Sequence, residues 1–260
     1  MANVYAVRYG TLETTRSASF LDYAQYHEAD RPMRMDYFYW VIESDDRLIL
    51  VDTGFNPQVG LRRGREVLVD PVGALELVGH RPDDVDIVVI SHFHYDHIGN
   101  LAAFPNAELV FQRRELDYWT DPVGADAAAR HFVEDDEIRF LSDVVARGGA
   151  RILDGDVELA PGIRAQLVGG HTPGEQTVTV ETPSGLIVIA ADALHFYEEL
   201  DLHRPYAVSH APPEMLAAYD TFDQLRRRGA TIVAGHDPAM VRRFPSVGNG
   251  PPGTVLRIAA

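Results

Sequence analysis

The chain has 260 residues, 46% of them hydrophobic and 24% charged, which is enough to bury a full core and suits a folded α/β protein rather than a disordered tail. Acidic residues outnumber basic ones 39 to 23, a formal net charge of −16 that repels phosphate backbones and anionic lipid, so the expected partner is a small molecule and neither a nucleic acid nor a membrane. With no cysteine, disulfides, thiolate nucleophiles, Fe–S clusters and cysteine zinc sites are excluded together, and any metal must be held by nitrogen and oxygen.

The N-terminus lacks a basic segment leading into an apolar stretch, and no apolar run approaches the roughly 18 residues of a membrane span, so a cytoplasmic protein is expected. Thr11 to Met35 has no clear period and is long for a structureless loop, which suggests a lid or an interface between two copies of the chain. Tyr37 to Ile42 and Leu48 to Val51 predict a hairpin across the polar turn Glu43-Ser44-Asp45-Asp46-Arg47. Asp52-Thr53-Gly54 marks a sharp exit from its second strand. A short helix is expected over Pro71 to Gly79, and Asp86 to Ile90 reads as a buried strand running straight into Ser91-His92-Phe93-His94-Tyr95-Asp96-His97. Glu108 to Gln112 predicts a strand, Arg113 to Trp119 and Asp136 to Arg147 helices. Arg164 to Val168, Thr177 to Glu181 and Leu186 to Ala190 follow as strands, Pro213 to Arg228 as an amphipathic helix stopped by Gly229, and Thr231 to Ala234 as a last strand. Strands and helices mix throughout with no linker, so one sheet-rich α/β layered domain over residues 1–260 is the expectation.

The chemistry concentrates in histidine and aspartate. His92, His94, Asp96 and His97 follow a strand directly, so their loop projects into one pocket: His92 and His94 can face a common ion, and Asp96 and His97 can turn toward a second. Further donors recur at strand ends in His171 (Gly169-Gly170-His171-Thr172-Pro173-Gly174), Asp192 (Ala190-Ala191-Asp192) and His236 (Ala234-Gly235-His236-Asp237), where small neighbours allow close backbone approach. Imidazole and carboxylate suit Zn²⁺, or Fe and Mn. Seven such donors exceed one four-coordinate ion, and two divalent ions sharing a carboxylate fit better.

In this order, Asp52-Thr53-Gly54, His92-x-His94-x-Asp96-His97, His171, Asp192 and His236 resemble the metallo-β-lactamase fold superfamily over about residues 37 to 237. The resemblance implies a four-layer αβ/βα sandwich with the metals at one edge between two sheets. By analogy with its dinuclear members, His92, His94 and His171 would hold the first metal and Asp96, His97 and His236 the second, with Asp192 bridging and Asp52 supporting from behind. The reaction implied is hydrolysis by a metal-activated hydroxide, with Asp96 a candidate to carry the proton to the leaving group.

Branches of the superfamily separate by inspection. Absence of cysteine excludes the β-lactamases with a cysteine ligand, and the short tail after His236 leaves no room for the helical domain of glyoxalase II. The chain is most similar to the quorum-quenching N-acyl homoserine lactonases and the pyridoxolactonase-like enzymes, which implies a lactone substrate. A cyclic amide or thioester on the same site is the alternative, and a non-hydrolytic metal-binding protein or a mononuclear iron oxygenase stands behind both. Homoserine lactonases place a substrate-contacting Tyr three residues after the bridging Asp, where this sequence has His195, an imidazole able to donate to an oxyanion and hence a second candidate catalytic residue. Met33, Met35, Tyr37, Tyr39, Phe55, Phe196 and Tyr197 are candidate pocket residues, and Glu175 has no assigned mechanism.

Overall fold

A computed structural model describes residues 2–45, 47–121 and 123–260; Asp46, in the expected hairpin turn, lies outside the described residues. The chain forms β1 (Asn3–Thr15), β2 (Pro32–Glu43), β3 (Leu48–Val51), β4 (Glu66–Val67), β5 (Ile87–Val89), β6 (Glu108–Gln112) and β7 (Ala150–Leu153). A second sheet follows, from β8 (Val157–Ala160), β9 (Ile163–Leu167), β10 (Gln176–Thr182), β11 (Gly185–Ile189) and β12 (Thr231–Val233), before β13 (Ser246–Val247) and β14 (Val255–Ala259) return to the first. The larger sheet runs β13-β14-β1-β2-β3-β5-β6-β7 with β4 on β1, and the smaller runs β12-β11-β10-β9-β8.

Alternation along the strands builds the layers. Ile49 and Val51 of β3, Ile87 and Val89 of β5 and Val110 of β6 point toward the second sheet, where they meet Val178, Val180, Ile187 and Ile189. Their neighbours Leu50, Val88, Leu109 and Phe111 face the other way, onto Leu75, Ile98, Leu101, Ile138 and Leu141 of the covering helical segments. Both faces of these strands are therefore apolar, as β3, β5 and β6, which pair in parallel, require. Helix Pro212–Arg227 covers the outer face of the second sheet with Met215, Ala218 and Phe222. The result is the expected order of helix, sheet, sheet, helix.

The expected hairpin is present, but β2 begins at Pro32 and pairs along nearly its whole length with β1. Thr11 to Met35 is consequently not a free loop. Its ends are strand, and between them lie a short helix, Arg16–Ser19, and a 3-10 turn, Tyr23–Tyr26. Arg16 and Arg204 fasten this excursion to Glu28 and Glu198. No helix among the described residues is long and apolar enough to cross a membrane.

One packed helix carries a pH signature. Glu137 of helix Asp135–Ala146 is half-buried and its Oε2 has no hydrogen-bond partner. Burial, then the Glu134 and Asp96 carboxylates, push its carboxyl from an ordinary 4.5 to about 8, against the pull of Arg63 and Arg62. The folded protein keeps this proton while the unfolded chain releases it, so stability falls as pH rises through that window and levels off above it. Glu137→Gln lacks the titration. Its melting temperature is expected to gain a few degrees on the parent between about pH 5 and pH 8.5, and an offset that stays constant with pH would refute the assignment.

Candidate metal centre

The site forms where strands end at one edge between the sheets, the usual position for ligands in open α/β sheets. β3 runs into Asp52, β5 into His92, β11 into Asp192 and β12 into His236, while His171 follows β9. Two of these exits demand unusual backbone. Asp52 and Ala191 both take left-handed φ values, 66° and 45°, a conformation that costs non-glycine residues free energy and clusters at functional sites. Beside Ala191 the approach is so close that a Cβ on Gly235 would lie 2.4 Å from the Ala191 carbonyl oxygen.

All seven expected donors come together, and all are buried. They fall into two groups, His92, His94, His171 and Asp192, then Asp96, His97 and His236, with donor atoms inside each group within 4.8 Å of one another. Asp192 faces both. Its Oδ2 lies 3.4 Å from His171 Nε2 and 3.7 Å from His92 Nε2, and its Oδ1 lies 2.9 Å from His236 Nε2 and 3.3 Å from His97 Nε2. Asp96 Oδ2 sits 3.8 Å from His97 Nε2 and 3.9 Å from His236 Nε2.

A second ring of partners aims the imidazoles. His97 Nδ1 is 2.7 Å from Asp52 Oδ2, and Asp52 also accepts from the Ser91 backbone N–H and hydroxyl. His171 Nδ1 and His236 Nδ1 lie 2.8 Å from the carbonyl oxygens of Val208 and Asp36. His92 Nδ1 meets Ser91 Oγ at 3.0 Å and Glu175 at 3.1 Å. These contacts leave the opposite nitrogens pointing inward, the arrangement that fixes tautomer and orientation in metal sites. Asp52 thus stands where the resemblance puts it, and Glu175 acquires a place the sequence did not suggest.

The donor set fits divalent metal. His92 Nε2, His97 Nε2 and Asp192 Oδ1 are buried without hydrogen-bond partners, and stranding such atoms costs on the order of 1–3 kcal/mol each unless another ligand satisfies them. Burial and neighbouring imidazoles hold His92 and His94 well below the ordinary histidine value, and burial takes His171 down to about 3 despite Asp192, so all three are neutral and their lone pairs available. His97 goes the other way: burial opposes its charge, but Asp192, Asp52 and Asp96 together raise it well above normal. That many carboxylates around one imidazole is a cation-binding environment.

His195 lies in the same pocket, its Nε2 3.1 Å from Asp192 Oδ2 without hydrogen-bond alignment, and its ring stacked on Tyr206 with centroids 3.6 Å apart. Of the expected pocket residues only Met35 and Tyr37 line this compact space, with Arg65, Tyr95, Phe132, Tyr206 and Val208. Phe55 and Phe196 are packing, Phe55 wedged edge-on against Tyr9 and Tyr37. A cavity of about 360 Å³ adjoins through His94, Phe132, His171 and Val208 and is walled by Tyr118, Trp119 and Pro173. Sequence reading missed Arg65 and Tyr206, which lie in no periodic pattern, and it missed Glu115. The carboxylate of Glu115 accepts from Phe93 N–H, Trp119 Nε1–H and Gly174 N–H, tying the loop of His92 and His94 to the loop of His171.

Known proteins resemble this chain in sequence and in fold. The profile of the metallo-beta-lactamase superfamily matches residues 35–236. An N-acyl homoserine lactonase of Bacillus thuringiensis is 27% identical over 237 residues, covering 84% of this chain and 88% of that protein. The structure of an N-acyl homoserine lactone hydrolase, with N-hexanoyl-L-homoserine at its catalytic metal centre, superposes with a TM-score of 0.75 at 24% identity, covering 93% of this chain and 95% of that one. AidC, a dizinc quorum-quenching lactonase, superposes at 0.73 and 18% identity, covering 100% and 94%.

Proposed function

The chain belongs to the metallo-beta-lactamase superfamily as a hydrolase, and from that premise we propose that it opens a lactone at a centre of two divalent ions, most simply zinc, bound by His92, His94, His171, Asp96, His97 and His236 with Asp192 shared. The observation that carries this reading is the division of the two Asp192 oxygens between the two histidine groups. When bound, the ions supply Lewis acidity, lowering the pKa of water toward neutrality and polarising a carbonyl oxygen.

The protein's own residues do the rest. Asp52, Ser91 and the Val208 and Asp36 carbonyls hold the imidazoles in place. His195, set in the pocket between Asp192 and Glu199, is placed to offer an imidazole N–H to the oxygen that gains charge at the ester carbon. Water adds to that carbon, the ring C–O bond breaks, and the proton from water passes by way of Asp96 to the departing alkoxide, giving a hydroxy acid. The rings of Tyr118, Trp119 and Phe132 supply an apolar wall for a substituent on the lactone.

The full chain is expected to carry more than about 1.5 equivalents of metal and to release acid from lactones in a pH-stat, with chelation abolishing release and zinc restoring it. Acid release only from cyclic amides or thioesters would move the substrate to that alternative, and a metal-loaded protein inert to all three would refute hydrolysis here.

A further inference from the structure

The pocket over the two donor groups contains a cation that the reading above does not use. Arg65, between helix Pro57–Arg62 and β4, is the one Lys or Arg among the described residues lining that pocket. Its neighbours Arg62 and Arg63 both pair with Glu134, at 2.6 and 2.8 Å. Arg65 forms no ion pair among the described residues: Nε donates to Tyr95 Oη at 2.7 Å and Nη1 to the Arg63 carbonyl. Asp96, the carboxylate on its side of the pocket, turns toward His97 and His236. A half-buried guanidinium in an acidic protein, held by a phenol and a carbonyl yet paired with no carboxylate, is the arrangement that recognises an anion entering from outside.

We propose that Arg65 is an anion-recognition residue and that the substrate is a lactone bearing a carboxylate of its own, beside the ester that is cleaved. The proposal rests on the lactonase reading and narrows it. Ring opening creates a carboxylate from every lactone, so the group that Arg65 selects is a second one, already present before hydrolysis. Tyr95 fixes the guanidinium from one side, through the Nε contact and a ring face 5.5 Å from Cζ.

The test compares 5-oxotetrahydrofuran-2-carboxylate with its carboxamide, which has the same ring and the same scissile ester, on zinc-loaded parent, Arg65→Lys and Arg65→Gln. The parent is expected to prefer the acid, and the acid-to-amide ratio of kcat/KM is expected to fall about tenfold to a hundredfold in Arg65→Gln, through KM, with Arg65→Lys in between. A parent without preference, or an unchanged ratio in Arg65→Gln, overturns the proposal and leaves Arg65 as a support for Tyr95. Calorimetric binding of the acid is measured alongside. If neither lactone is turned over, the lactonase reading is judged by the wider pH-stat panel above, and binding still decides the anion site: about tenfold weaker binding of the acid to Arg65→Gln supports it, whereas equal binding or none to the parent refutes it.

Discussion

Asp192→Asn is expected to lower turnover by at least about 10³-fold, the scale on which loss of one preorganised electrostatic group is felt, and to reduce bound metal from two equivalents toward one. The replacement has nearly the same shape, so the fold and the left-handed Ala191 before it are retained. What changes is the chemistry of two atoms. Asp192 presents Oδ2 to His92 and His171 and Oδ1 to His97 and His236, and both carboxylate oxygens carry lone pairs able to ligate. An amide keeps one acceptor and puts an N–H₂ where the other stood, so one histidine group loses its shared carboxylate whichever way the amide turns. Removing the charge also releases His97, which Asp192 is the foremost group to hold protonated in the metal-free site. Metal analysis and lactone turnover on the same preparation check the expectation, and a variant with both unchanged would show that the two groups act independently of Asp192.

The seven donors were legible because their pattern is local to strand ends. Runs such as Val88-Val89-Ile90 and Leu186 to Ala190 announce buried strands, and a strand's carboxyl end can deliver its next residues only to the edge of the sheet. The support of the donors was less legible, because it depends on partners far apart in sequence: His236 is oriented by a carbonyl 200 residues away and His97 by a carboxylate 45 away. β1 escaped notice for a different reason. Its residues, among them Arg8, Thr11, Glu13 and Thr14, lack clean alternation, since one end is buried and the other is stapled to β2 near the surface. The expected helix over Pro71 to Gly79 condenses to the 3-10 turn Gly73–Leu77, where Asp70 caps the Gly73 N–H. Glu115 was invisible in sequence, where it stands as a polar residue on an amphipathic helix, yet it is wholly buried.

That buried carboxylate leads to the second large expectation. Glu115→Ala is expected to destabilise the protein by about 3–5 kcal/mol, the range for a broken buried network, and to lower its melting temperature by about 10 °C. Three donors lose their acceptor at once: Phe93 N–H at 2.9 Å, Trp119 Nε1–H at 2.6 Å and Gly174 N–H at 2.8 Å. Phe93 sits between His92 and His94, and Gly174 lies three residues beyond His171, so Glu115 sets the distance between two loops that deliver three donors of one group. The fit is tight enough that a Cβ on Gly174 would lie 2.3 Å from the Glu115 backbone nitrogen, and only glycine is accommodated there. Zinc affinity is therefore expected to fall about tenfold to a hundredfold as well, as it does when groups orienting metal ligands are removed. Glu115→Gln separates the two effects, since its single acceptor oxygen keeps the side-chain volume but can serve only one of the two loops. Its melting temperature should lie between those of parent and alanine variant, while its zinc affinity should fall nearly as far as in Glu115→Ala. Titration of zinc into both variants, beside thermal unfolding, measures each quantity, and a zinc affinity equal to the parent's in both would confine Glu115 to holding up the fold.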